Sequence, residues 1–218
     1  MNKLIKKLTT ASVFAIAFLW MNSTVAQTDA IQRLDVLLQG IQTLKADVVQ
    51  LIVESNGGIL EESEIKMYLK KPDGFYWETL TPFPELVVTN GTTLWNYVPD
   101  LEQVVIEDWN SSRSQLAAQL LNGQTDNLSE EYTIEIMNSV GSEYQEFELA
   151  PISVDSVYRS ISINFMHAEL DSIYLDNKNG QKTVWRFENI ERNSTISDNQ
   201  FEFQIPDGIE VVENSYSQ

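Results

Sequence analysis

The sequence predicts a mainly β protein of the α+β kind: a strongly curved antiparallel sheet or open barrel whose mouth two or three short helices cover. Three observations predict it. Apolar and polar residues alternate through most of the chain, as in Ile65-Lys66-Met67-Tyr68-Leu69-Lys70. Turn signals such as Asn56-Gly57-Gly58 and Asn90-Gly91 cut that alternation into hairpin-sized lengths. Helical spacing is confined to two short stretches near Leu34 and Leu120.

The first residues lie outside this fold. Lys3, Lys6 and Lys7 precede an uncharged apolar run from Ala11 to Met21, and Asn22-Ser23-Thr24-Val25-Ala26 supplies small residues. That is the layout of a secretory signal, too short and wrongly flanked for a membrane anchor, with cleavage expected after Ala26. Residues 27–218 are expected to form one domain, exported and soluble.

The first helix is expected at Ile31, Leu34, Leu38, Ile41 and Leu44, whose spacings of three and four make one apolar face behind a cap at Thr28 or Asp29. From Ala46 the period changes to two. The next strand carries Ile65, Met67 and Leu69 on one face and ends at Lys71-Pro72-Asp73-Gly74. Lys71 continues that face two residues on, so apolar surface ends in one cation. The layout suits a greasy pocket with a polar latch. Phe75-Tyr76-Trp77 restarts the chain, Thr81-Pro82-Phe83-Pro84 turns it, and Leu86 to Tyr97 forms a hairpin about Asn90-Gly91. Val98-Pro99-Asp100 is a further turn before the strand around Val104 and Ile106.

A short second helix is expected over Ser114 to Leu121, with Leu116, Leu120 and Leu121 on one side and Asn122-Gly123 as its stop. Strands then resume at Tyr132–Ile136, Phe147–Leu149, Ile161–Phe165, Ile173–Leu175, Trp185–Phe187 and Phe201–Ile205. The aromatic residues Phe75, Trp77, Trp95, Trp109, Trp185 and Phe187 suit either a core or a pocket wall.

Charge and chemistry narrow the function. The formal charge of −18 becomes about −21 without the three signal lysines, which repels nucleic acid and anionic lipid headgroups. The chain has no cysteine, which removes thiol catalysis, cysteine metal sites and the lipid-bearing cysteine of a bacterial lipoprotein. His167 is the only histidine and lies in a connection between strands, and no serine sits in a nucleophile elbow. Acid runs such as Glu61-Glu62-Ser63-Glu64 match no calcium-loop spacing. No enzyme activity, metal or cofactor is expected.

The order of motifs resembles the LolA family, the periplasmic outer-membrane lipoprotein carriers. The resemblance runs from about Ile31 to Val212. It rests on Arg33-Leu34-Asp35, on Lys71-Pro72 followed by Phe75-Tyr76-Trp77, on Asn90-Gly91-Thr92-Thr93-Leu94-Trp95-Asn96-Tyr97, and on Phe201-Glu202-Phe203-Gln204-Ile205-Pro206-Asp207-Gly208-Ile209-Glu210-Val211. It implies an incomplete antiparallel β-barrel closed by a helical lid, with lipoprotein acyl chains held between them. Leu34, Ile65, Met67, Leu69, Phe75, Trp77, Trp95, Leu116 and Leu120 would line that site, and Lys71 would be the lid latch, where the family commonly has arginine. The implied partners of this periplasmic monomer are acylated lipoproteins, an ATP-driven (ABC-type) release complex in the inner membrane and a receptor lipoprotein at the outer membrane. An acceptor of the same fold is disfavoured by the missing cysteine. A lipoprotein-sensing regulatory domain is disfavoured by a chain too short for two domains, and a secreted hydrolase by the lack of a catalytic constellation.

Overall fold

The computed structural model describes residues 29–109, 128–140 and 143–214. The signal segment and the second helix with Leu116 and Leu120 lie outside the described residues.

A helix, α1, covers residues 29–39. Twelve strands follow: β1 (Thr43–Val53), β2 (Ile59–Lys70), β3 (Gly74–Thr81), β4 (Glu85–Asn90), β5 (Thr93–Val98), β6 (Gln103–Asp108), β7 (Tyr132–Val140), β8 (Tyr144–Pro151), β9 (Tyr158–Met166), β10 (Glu169–Asn177), β11 (Lys182–Arg192) and β12 (Glu210–Asn214). They form one sheet in the order β12-β6-β5-β4-β3-β2-β1-β11-β10-β9-β8-β7, open at β12 and β7. The long pairings of β1 with β2 and with β11 join its two halves.

Ladder irregularities break the register at several places, among them Lys45/Asp47, Glu64/Ile65 and Ile136/Asn138. Each extra residue bends its strand and increases its twist, which curves a wide sheet. The hairpins use the chemistry expected of them. Gly57 and Gly91 adopt φ of +87° and +91°. His167 and Ala168 join β9 to β10 with φ of 52° and 64°, the paired positive values of a two-residue type I′ turn.

Three expectations are corrected. The first helix stops at residue 39, and Leu44 lies on β1. Ile41 and Leu44 still point into the core, which is why their spacing imitates another helical turn. Phe201 closes a 3-10 turn, Asp198–Phe201, and Phe203 and Ile205 are in no strand. The last strand is β12, which pairs parallel to β6, so the sheet is not wholly antiparallel.

The sheet has apolar clusters on both faces. The larger contains Leu34 and Leu38 of α1 with Ile65, Met67, Leu69, Phe75, Val87, Leu94, Ile163, Phe165, Ile173 and Trp185 among others. The smaller joins Val88, Ile196 and Phe201, with Tyr68, Tyr76, Leu86, Trp95 and Phe203 packed against it. Alternation along β2 to β5 sorts these residues: Met67 and Phe75 go one way, Tyr68 and Tyr76 the other.

Candidate lipid-binding face and its lid

The larger cluster begins with β2. Ile65, Met67 and Leu69 alternate with exposed or half-buried polar neighbours, and Met67 and Leu69 have no exposed surface. Opposite them on β3, Met67 pairs with Trp77 and Leu69 with Phe75. The Phe75 and Trp77 rings stack with centroids 6.0 Å apart, and Trp77 meets Trp185 edge-on at 5.5 Å. Leu34 and Leu38 come down from α1 onto this wall, also buried. The expected residues Leu34, Ile65, Met67, Leu69, Phe75 and Trp77 therefore share one cluster under one helix. Trp95 does not join them. Its neighbour Leu94 occupies the inward position of β5, so Trp95 faces the smaller cluster on the other side of the sheet.

Lys71 lies just past the end of β2. Its Nζ donates to the Leu38 carbonyl at 2.6 Å, and its backbone N–H donates to the Gln42 carbonyl at 2.9 Å. Leu38 stands in the last turn of α1, where the helix dipole is negative, and its carbonyl also accepts from the Ile41 N–H at 3.0 Å. Burial holds the ammonium below its ordinary pKa, Asp35 opposes that shift, and the Arg192 charge adds to it.

Arg192 and Asn193 complete this helix terminus, and nothing local in the sequence announces them. Arg192 Nε donates to the Gly40 carbonyl at 3.3 Å and Nη1 to the Ala168 carbonyl at 3.1 Å. Asn193 Nδ2 donates to the same Gly40 carbonyl at 3.1 Å, while its Oδ1 accepts from the Gln42 N–H at 2.8 Å. A side chain at Gly40 would collide with the guanidinium, so the glycine makes room for it. Farther up the helix, Arg33 Nη2 donates to Gln145 Oε1 on β8 at 3.1 Å. These bonds tie α1 to the sheet densely at its C-terminal end and again at Arg33.

The other face is closed differently. Lys70 Nζ donates to the Ile196 carbonyl at 3.0 Å and pairs with the Asp198 carboxylate, tying down the segment that carries Phe201. A Cβ on Gly74 would lie 3.1 Å from two Phe201 ring carbons, so this glycine lets the ring approach the sheet closely.

His167 is exposed in its hairpin turn, and among the described residues no group of three or more His, Asp or Glu is placed to hold a metal ion.

The family model for the outer membrane lipoprotein carrier protein LolA matches residues 39–204. The chain belongs to the LolA family. It is 34% identical over 187 residues to an outer-membrane lipoprotein carrier protein of Chromohalobacter salexigens, covering 86% of this chain and 88% of that one. The corresponding protein of Hahella chejuensis is 32% identical over 210 residues, covering 96% and 98%. An uncharacterized conserved protein from Thermus thermophilus shares the fold, with a TM-score of 0.56 at 14% identity, over 86% of this chain and 99% of that one.

Proposed function

We propose that this protein carries acylated lipoproteins through the periplasm and binds their acyl chains on the face that α1 covers. One observation carries the reading: a continuous aliphatic and aromatic wall is covered by α1, whose end carbonyl is held by Lys71. Family membership and the carrier names of its relatives support it. An inner-membrane ABC-type complex would supply the cargo, and an outer-membrane receptor lipoprotein would accept it. The carrier acts as a monomer, exported on the signal segment of residues 1–26, and works by binding alone.

The energetics fit a lid that yields to cargo. Burying acyl chain gains about 0.8 kcal/mol per methylene, so one sixteen-carbon chain gains on the order of 10 kcal/mol. A charge-assisted hydrogen bond such as that from Lys71 to Leu38 contributes roughly 1.5–3 kcal/mol. Acyl chains therefore outcompete the latch and displace Leu34 and Leu38 from the sheet. In the empty protein the same bond keeps the apolar wall from water. Lys71 acts as the latch of this empty state, with Arg192 and Asn193 fixing the hinge beside it.

Mass spectrometry of the protein recovered from the periplasm tests the reading. Acylated lipoprotein or diacylglyceryl lipid should co-purify with it. Recovery free of any acylated species, even when delivery downstream of the release complex is blocked, would contradict it.

A further inference from the structure

One amide interrupts the apolar wall that α1 covers. Alternation along β5 sends Trp95 and Tyr97 to the outer face, where the Tyr97 ring packs on Phe203 with centroids 5.3 Å apart. Leu94 and Asn96 therefore point inward. The register agrees, because directly paired residues face the same side of a sheet. Met67 pairs with Trp77, Trp77 with Val87, and Val87 with Asn96, so one row crosses β2 to β5. Met67 and Val87 are buried in the larger cluster, and Trp77 packs against it. At ordinary strand spacing Asn96 stands about 14 Å along the sheet from Met67, towards the β6 side of the wall.

The Asn96 side chain has no partner. Its Oδ1 is buried and accepts no hydrogen bond, and among the described residues none accepts from its Nδ2. Its surroundings supply no donor. Val87 and Val105 lie opposite it, and Leu94 and Val98 two positions away along β5. Glu85 and Glu107 share the face on the adjoining strands, and carboxylates accept rather than donate. Thr89, opposite Leu94, turns its Oγ1 to the Gly91 N–H at 3.0 Å. A buried amide oxygen without a donor is destabilising, so such a group in a native fold calls for a partner. Leucine would complete the row without that cost.

The position limits what the partner can be. An acyl chain laid along Val87, Trp77 and Met67 towards α1 would bring its carbonyl end to Asn96. An ester or a carboxylate at that end offers only acceptors, whereas Oδ1 requires a donor. A secondary amide offers one N–H and one C=O, the complement of asparagine's Oδ1 and Nδ2. An ammonium could also donate, but a charge set among Val87, Val105 and Leu94 is far costlier to bury.

We propose that Asn96 hydrogen-bonds the amide joining an acyl chain to the amino group of the cargo, and so selects amide-linked over ester-linked chains on this face. The proposal rests on the cargo reading above and names the part of the cargo that the wall reads. The apolar row binds any chain; the amide decides which chain lies here.

Two ligands that differ only in N–H against O test it: N-methyldodecanamide and methyl dodecanoate. Displacement of a fluorescent fatty-acid probe from the mature protein gives a dissociation constant for each. The parent should bind the amide more tightly. Asn96→Leu should lower that preference about tenfold, chiefly by weakening the amide. The empty leucine variant should keep the parent circular dichroism spectrum and unfold in urea at or above the parent midpoint, because an unpartnered oxygen has been removed. An N-dodecanoyl cysteinyl peptide should compete better than N-dodecanoylglucosamine, which separates a lipoprotein terminus from a glycolipid as the source of the amide; the reverse order would overturn that assignment. If both small ligands bind and the leucine variant keeps the parent's preference, Asn96 is a solvated or structural side chain; the inference fails and the cargo reading stands. If neither binds the parent, the cargo reading fails and takes this inference with it. A urea midpoint well below the parent's would show that Asn96 has its partner within the folded chain, which also overturns the proposal.

Discussion

Two adjacent lysines at the end of β2 close the two faces of the sheet. Lys71 holds α1 through one helix-end carbonyl, whereas Lys70 holds the Phe201 segment through a carbonyl and a carboxylate together. The packing beneath differs in the same sense. Phe201 lies against Gly74 at close contact, a fit with no room for displacement, while α1 lays leucines on a broad wall of side chains that could equally contact other aliphatic surface. On the proposed reading, one cover is built as core and the other stands in for cargo. Alternation along a single strand produces both, because neighbouring residues face opposite ways.

The sharpest way to separate the two covers is to remove each in turn. Phe201→Ala should cost about 3–5 kcal/mol of stability in urea unfolding, the usual cost of emptying a buried phenylalanine site. Its acyl-probe affinity should be close to the parent's when measured below the unfolding transition. Loss of probe binding at full folding would mean that the second face also takes part.

Lys71→Leu should act on the other cover. Losing roughly 1.5–3 kcal/mol of latch corresponds to amide exchange in α1 faster by about ten- to a hundredfold, read by hydrogen-exchange mass spectrometry. Lys70→Leu removes both the Asp198 pair and the bond to the Ile196 carbonyl, costs roughly 1.5–3 kcal/mol, and should leave α1 exchange at the parent rate. Equal effects of the two substitutions on α1 would erase the distinction between the covers.

A smaller effect concerns pH. The Lys71 ammonium is held below its ordinary value of 10.5, chiefly by burial. Between the lowered folded value and 10.5 the unfolded chain binds more protons than the folded one, so this contribution makes stability rise with pH. The buried Tyr132 and the half-buried Tyr158 are shifted upward and act oppositely at high pH. The difference between parent and Lys71→Leu isolates the lysine. That difference should shift in the parent's favour as pH rises towards 10.5, and a flat difference would place the ammonium in solvent.

Much of this is legible in the sequence because it is local. The alternation of Ile65, Met67 and Leu69 gives their common face, and Lys71 two positions on gives the cation at its end. Asn90-Gly91 marks a hairpin because φ must be positive there. The misplacements have physical causes too. Ile41 and Leu44 face the core from a loop and a strand, and their spacing fits a helix equally well. Residue type groups Trp95 with the other aromatics, although its alternation with Leu94 puts it on the opposite face. The parallel pairing of β12 with β6 and the clamp of Arg192 and Asn193 on Gly40 join residues about a hundred or more positions apart, and short-range patterns carry no trace of such contacts.

The claim that cargo lies on one face and not the other can be tested with the tryptophans already present. Two forms of the mature protein would each keep one tryptophan, Trp77 on the lid-covered face or Trp95 on the other, with phenylalanine replacing the rest. Brominated palmitoyl chains quench indole fluorescence only at contact range. Titration should quench the form that keeps Trp77 with saturation, and leave the form that keeps Trp95 at its starting intensity. Equal quenching of both forms, or quenching of Trp95 alone, would contradict the assignment of the acyl chains to the face beneath α1.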